Sequence, residues 1–197
     1  AMETLVLGDP GQLATDVGPV IDADARAALL AHIDALRAAG NRVIAEARLP
    51  QEAAHGTFVA PIAVEVEGMH VLEKEHFGPI LHVVRYAASD LDRVIDAIND
   101  SGYGLTLGVH TRIDSVAEAI AARVRVGNVY VNRNQIGAVV GVQPFGGEGL
   151  SGTGPKAGGP RYLHRFAVER VVSIDTTAAG GNASLFAMSE EGGDTLP

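Results

Sequence analysis

Apolar positions change their spacing several times along the chain, and each change marks an element. Leu29, Leu30, Ile33 and Leu36 recur at three- and four-residue intervals, which predicts an amphipathic helix over 23–39 with Asp22 as its N-cap and Gly40 just past its end. The run 42–47 (RVIAEA) reads as a strand. So does 58–66 (FVAPIAVEV), where Pro61 demotes part of the run to an edge or irregular position because it has no N–H for a ladder. The stretch 70–80 is a short helical or turn segment closing on Gly78-Pro79, and 80–86 (ILHVVRY) is a strand of β-branched and aromatic residues. Ser89 and Asp92 suggest a capped helix start, and Leu91, Val94, Ile95 and Ile98 give that helix one buried face up to Gly102. A strand over 105–110, a helix carried by Ile113, Val116, Ala117, Ile120, Ala121 and Val124, and a strand over 128–131 follow.

From 80 onward the order is strand, helix, strand, helix, strand with short connections. That alternation predicts parallel βαβ units and an α/β layer architecture, with ligands beyond the carboxyl ends of the strands. The loop over 132–160 starts at such an end. Nine of its 29 residues are glycine and three are proline, so no regular element propagates through it. Its apolar members, Ile136, Val139, Val140, Val142, Phe145 and Leu150, are unlike those of a solvated linker. Beyond it, 161–166 reads as helical, 169–176 (ERVVSIDT) as an alternating strand, and 177–197 as a partly ordered polar and acidic tail. Residues 8–19 read as loop, and the first ten residues as the tail of a helix continuing from something upstream.

Composition narrows the class. With 197 residues, 47% of them hydrophobic, the chain makes one large globular domain or two small ones. A net charge of −9 argues against binding a nucleic-acid backbone. No apolar run approaches the roughly 18 residues of a membrane span and no leader-like core opens the chain, so a cytoplasmic location is expected. Cysteine is absent, which removes disulfides, thiolate metal ligands and any cysteine nucleophile within this chain.

Two stretches carry candidate chemistry. Residues 147–152 (GEGLSG) fit the spacing G-x-G-x-x-G, but Gln143-Pro144-Phe145 rather than a buried strand precedes them, and Pro155 between Gly154 and Lys156 breaks a phosphate-loop pattern. The loop is therefore either a structural glycine turn or a nest of backbone N–H groups for an anion such as a carboxylate. Residues 73–79 (EKEHFGP) are either an exposed charged turn or a carboxylate and an aromatic ring two residues apart, suited to a sugar diol with the ring packed beside it. The seven histidines show no metal spacing, and His76 and His82, which flank a strand start, read as exposed. Asp22, Asp24 and Asp34 read as caps and a solvated helix face, and no Ser-His-Asp arrangement is suggested.

Taken together, these stretches resemble the aldehyde dehydrogenase superfamily. Glu75-His76-Phe77-Gly78-Pro79-Ile80 is similar to its E-x-F-G-P-[VI] motif, and a G-Y-G-L turn at 102–105, G-N-V-Y-V-N at 127–132 and P-F-G-G at 144–147 follow in the family's order. Within the superfamily, the runs 8–10, 15–22, 141–147, 150–160 and 176–183 resemble the C-terminal part of the proline utilization A family, where this region belongs to an L-glutamate γ-semialdehyde (pyrroline-5-carboxylate) dehydrogenase. The resemblance implies an incomplete parallel three-layer α/β catalytic domain over 1–166, an oligomerisation-flap strand over 167–177 and a tail over 178–197.

It also implies roles for individual residues. Glu75 would bond the nicotinamide ribose hydroxyls of NAD, with Phe77 beside that ribose and ring. Gly137 and Ala138 would donate backbone N–H groups to the substrate α-carboxylate, Phe145 would cover the aliphatic chain, and 151–160 would shape the wall. The family reaction needs a cysteine thiolate to attack the aldehyde, a hydride transfer to NAD, and a glutamate base for hydrolysis of the thioester. With no cysteine, this chain holds no catalytic residue of that kind and is expected to be inactive without the N-terminal part of the same protein. A homo-oligomer is expected, no metal, and FAD only in a possible upstream proline dehydrogenase domain. The competing readings are a non-catalytic oligomerisation or interaction module on the same scaffold, and a dehydrogenase of another small semialdehyde.

Overall fold

The computed structural model describes residues 1–136, 139 and 141–175. Its longest element is helix α1 (Ala23–Ala38), closed at both ends as the sequence predicts. The Asp22 carboxylate accepts from the Ala25 N–H at 2.7 Å. At the other end Gly40 N–H donates to the Arg37 carbonyl at 3.0 Å and Asn41 N–H to the Leu36 carbonyl at 3.1 Å, the paired closure of a Schellman motif.

Leu29, Ile33 and Leu36 project from one face of α1 onto Val59, Ile62, Val64 and Val66, and these seven residues form the principal core. The strands beneath are β1 (Arg42–Glu46), β2 (Ile62–Glu65) and β3 (Ile80–Val83), ordered β1-β2-β3. β1 runs antiparallel to β2, pairing Arg42 with Glu65 and Glu46 with Ile62 around an irregularity between Val43 and Ala45. β2 runs parallel to β3, from Ile62 opposite Ile80 to Glu65 opposite Val83. β2 is the middle strand and its first three residues are buried, so of the two positions expected for part of 58–66 the edge one is corrected and the irregular one stands, since 58–61 lie outside the strand. Pro61 sits one residue before the strand, where it needs no ladder donor, and its carbonyl accepts from Ala47 N–H at 2.8 Å. Arg42 and Arg85 flank Glu65, and the Arg42 hydrogen bond, ahead of the two positive charges, holds that carboxyl below the usual carboxylate range.

Helix α2 (Leu91–Asp100) leads to the two-residue β4 (Tyr103–Gly104), and β5 (Thr106–Val109), α3 (Asp114–Arg123) and β6 (Asn128–Val131) then form a parallel strand–helix–strand unit. Its register runs from Thr106 opposite Asn128 to Val109 opposite Val131. Arg123 of α3 pairs with Asp92 and Asp96 of α2, and Asn99 caps the exit of α3 by donating to the Arg123 carbonyl at 3.0 Å and accepting from Arg125 N–H at 2.8 Å. β4 pairs antiparallel with β7 (Glu148–Gly149) inside the glycine loop.

The structure departs from the sequence reading in four further places. Among the described residues β3 and β5 are not neighbours: the parallel pairs β2–β3 and β5–β6 stand in separate sheets. Alternating strands and helices specify strand direction, not which strands become adjacent. No side-chain cap bond starts α2; a 3-10 turn at Ala88–Asp90 runs straight into it. The opening residues contain a 3-10 turn, Met2–Thr4, and a single parallel bridge from Leu7 to Val17, the loop between them being tied down by the Asp16 carboxylate, which accepts from Val6 N–H at 2.9 Å. Finally, 167–174 carry no strand pairing among the described residues and lie exposed, Val168 at 93% and Val171 at 82%; alternation alone cannot satisfy a strand that has no neighbour. The tail from 176 onward lies outside the described residues.

Candidate functional site

Glu75 and Phe77 sit in the extended connection just before β3, and both open to solvent, Phe77 at 87%. His76 between them turns inward and is half-buried. Its ring stacks on His32 of α1 with centroids 3.5 Å apart and planes 14° from parallel. His32 Nε2 in turn lies 2.9 Å from His82 Nε2 of β3, a hydrogen bond in which one ring donates and the other accepts. A Cβ on Gly78 would run into the Leu29 side chain, so only glycine lets the segment lie this close on α1.

The exposed histidines of the sequence reading are thus a correction. His32, His76 and His82 come from three separate stretches and meet in space, and sequence spacing carries no sign of it. Burial, then the neighbouring imidazoles and the Lys74 ammonium, pull the His32 pKa down to about 4 from an ordinary 6.5. Burial chiefly lowers His76, with Lys74 adding to it, and burial chiefly lowers His82, with His76 adding to it. All three rings are neutral near pH 7.

The second station is the glycine loop. β6 is followed directly by Asn132, whose φ of 53° is left-handed and whose side chain bridges to the chain just past β5, accepting from Thr111 N–H at 3.0 Å and donating to the Thr111 carbonyl at 2.8 Å. Around this corner His110, Thr111, Arg112, Asp114 and Asn132 line an open depression at the carboxyl ends of β5 and β6. Of the expected site residues that the structure describes, Glu75, Phe77 and Phe145, none lines it.

Farther along, the loop is fastened rather than free. Phe145 and Ala157 exchange backbone hydrogen bonds at 3.0 and 2.9 Å, which leaves the phenyl ring half-buried beside β6. Lys156 Nζ donates to the Gly127 carbonyl and, at 3.1 Å, to Asn128 Oδ1, while Asn128 Nδ2 donates to the Pro144 carbonyl at 3.0 Å. Leu150 N–H reaches the Gly102 carbonyl at 2.8 Å, and Gly104 N–H reaches Ser151 Oγ at 3.2 Å. A Cβ at Gly127 would collide with the Gly146 carbonyl, so the loop rests directly on the backbone that starts β6. Lys156 is therefore an anchor of the loop, a role its place in the sequence does not announce.

Gly137 and Ala138, the expected carboxylate donors, lie outside the described residues. Of the expected site, then, Glu75 and Phe77 form one station before β3 and Phe145 belongs to another, on the loop beside β6. Among the described residues no cluster of side chains is arranged to ligate a metal ion.

The model of the aldehyde dehydrogenase family matches residues 1–172. The bifunctional protein PutA of Klebsiella aerogenes is 56% identical over 174 residues, covering 86% of this chain and 13% of its own length. A 1-pyrroline-5-carboxylate dehydrogenase of Geobacillus kaustophilus is 37% identical over 171 residues, 86% of this chain and 32% of that protein. A crystal structure of a proline utilization A mutant from Bradyrhizobium japonicum superimposes with a TM-score of 0.81 at 57% identity, covering 90% of this chain and 18% of that one. The chain therefore spans a third or less of the length of each of these relatives.

Proposed function

The chain belongs to the aldehyde dehydrogenase family, and from that premise we propose that it forms part of an NAD-dependent L-glutamate γ-semialdehyde dehydrogenase, which oxidises the semialdehyde form of pyrroline-5-carboxylate to L-glutamate. The observation that carries the reading is the Glu75–Phe77 pair: a carboxylate and a phenyl ring two residues apart, both open to solvent, with the residue between them anchored to α1. Such a pair fits the nicotinamide riboside of NAD, whose ribose diol offers donors to a carboxylate and whose faces suit an aromatic ring. The kinship with proteins named PutA and 1-pyrroline-5-carboxylate dehydrogenase supports the choice of substrate.

When bound, NAD supplies the hydride acceptor. The tasks of this chain are binding and orientation. Glu75 accepts from the ribose hydroxyls and Phe77 limits where the nicotinamide can lie. Gly137 and Ala138 donate backbone N–H groups to the substrate α-carboxylate, and Phe145 covers the methylenes and excludes water beside the reacting carbon. A nucleophilic cysteine must come from elsewhere in the polypeptide, since this chain has none. An FAD-bearing proline dehydrogenase domain in the same polypeptide would supply the pyrroline, in keeping with relatives called bifunctional. The exposed stretch 167–174, with its alternating apolar residues, becomes a strand on pairing with a neighbouring subunit of a homo-oligomer.

Phe145→Ala in the complete dehydrogenase tests the substrate assignment. Uncovering two methylenes at about 0.8 kcal/mol each raises KM for the semialdehyde about tenfold and leaves KM for NAD unchanged. If kcat and the KM for the semialdehyde both stay at wild-type values, Phe145 does not touch the substrate.

A further inference from the structure

We propose that His32 of α1 is a positioning residue for the Glu75–Phe77 pair, which it holds in place through the stacked ring of His76, and that this hold is lost as the imidazole cluster accumulates charge. The inference rests on the cofactor role proposed for that pair.

The geometry is that of a platform. Exposure alternates over 75–77, out, in, out, so whatever fixes His76 fixes the direction of both outward side chains. The segment touches α1 twice, through Gly78 on Leu29 and His76 on His32. Leu29 and His32 are three residues apart on one helix face, so the two contacts make a continuous seat. His82 fastens the seat from β3 through its 2.9 Å bond to His32, and the same ring lies 5.1 Å from His32 between centroids. α1 is well placed to be the fixed body, because its opposite ends are capped and its inner face is the principal core.

The cluster tolerates little charge. The His32–His82 bond needs one nitrogen without a proton; a second proton on the pair leaves two donors facing each other. An additional charge on His76 falls on a ring 3.5 Å from its stacked partner. Among the described residues, the groups that set the field at these rings are the three imidazoles, from α1, the 73–79 segment and β3, and the ammonium of Lys74, with no carboxylate among them. Acidification therefore drives the seat apart while Glu75 and Phe77 themselves stay intact.

The test uses His32→Ala and His32→Phe in the complete dehydrogenase, with Glu75→Gln and Phe77→Ala alongside. The readouts are KM for NAD, KM for the semialdehyde and kcat between pH 4.5 and 8.5, and amide hydrogen exchange over 73–79 without cofactor. Losing one stacked ring pair is expected to raise KM for NAD about threefold to tenfold in His32→Ala, with kcat and KM for the aldehyde near wild type and faster exchange over 73–79. His32→Phe keeps a ring to stack on, restores KM at neutral pH and weakens its rise on the acid side. Unchanged KM for NAD and unchanged exchange in His32→Ala overturn the proposal. So does a general loss of kcat and stability that His32→Phe does not rescue. If exchange accelerates in His32→Ala while Glu75→Gln and Phe77→Ala leave KM for NAD unchanged, the platform stands and the cofactor role of the pair falls.

Discussion

Lys156 shows how much a single side chain decides here. In the sequence it stands where a phosphate-loop lysine would, one proline out of register; in the fold its ammonium closes the glycine loop onto Gly127 and Asn128. Replacing it with methionine keeps the stem and leaves two half-buried oxygens without that donor. Lys156→Met is expected to cost about 1.5–3 kcal/mol in chemical denaturation, the range for hydrogen bonds to a charged group. A variant as stable as the wild type shows that the ammonium does not hold the loop. The same residue-scale logic separates what could be read early from what could not. Glu75 and Phe77 were legible as a chemically suggestive pair because their spacing is local. His32 was invisible, since its partners lie 44 and 50 positions away along the chain.

Elements were most legible where their signals are local and redundant. α1 has an apolar stripe, a capping aspartate and a closing glycine, and all three act as the sequence predicts. Because α1 seats the 75–78 segment, its cap supports the candidate site as well as the fold. Asp22→Ala removes the acceptor for Ala25 N–H and is expected to lower stability by about 1 kcal/mol, measured as a shift of the unfolding midpoint; Asp22→Asn retains an acceptor and recovers most of the loss. The run 169–176 is the opposite case. Its alternation satisfies the period of a strand, yet 169–174 form no strand and lie exposed, because a strand's backbone groups are satisfied only by a neighbour.

On the scale of the whole molecule, acid is the condition that bears on both the fold and the candidate site. His32, His76 and His82 have lowered pKa values, so their contribution to stability is complete above the ordinary 6.5 and falls away as pH drops toward about 4, the value for His32. Glu65, also lowered, loses its contribution on the acid side of the ordinary carboxylate value. The thermal midpoint is therefore expected to decline between pH 6.5 and 4, and to decline less steeply in His32→Phe; parallel curves for the two proteins would mean that His32 does not titrate with unfolding. By itself the sequence determined the helices, the strands, the glycine loop and the family resemblance, because hydrophobic period, caps and motif spacing are properties of neighbouring residues. Only the tertiary structure decided that the parallel strands fall into two separate sheets, that Lys156 anchors the loop, and that three distant histidines form the seat of the Glu75–Phe77 pair. These depend on which surfaces meet once the apolar faces are buried, and that is a property of the packed chain rather than of any stretch within it.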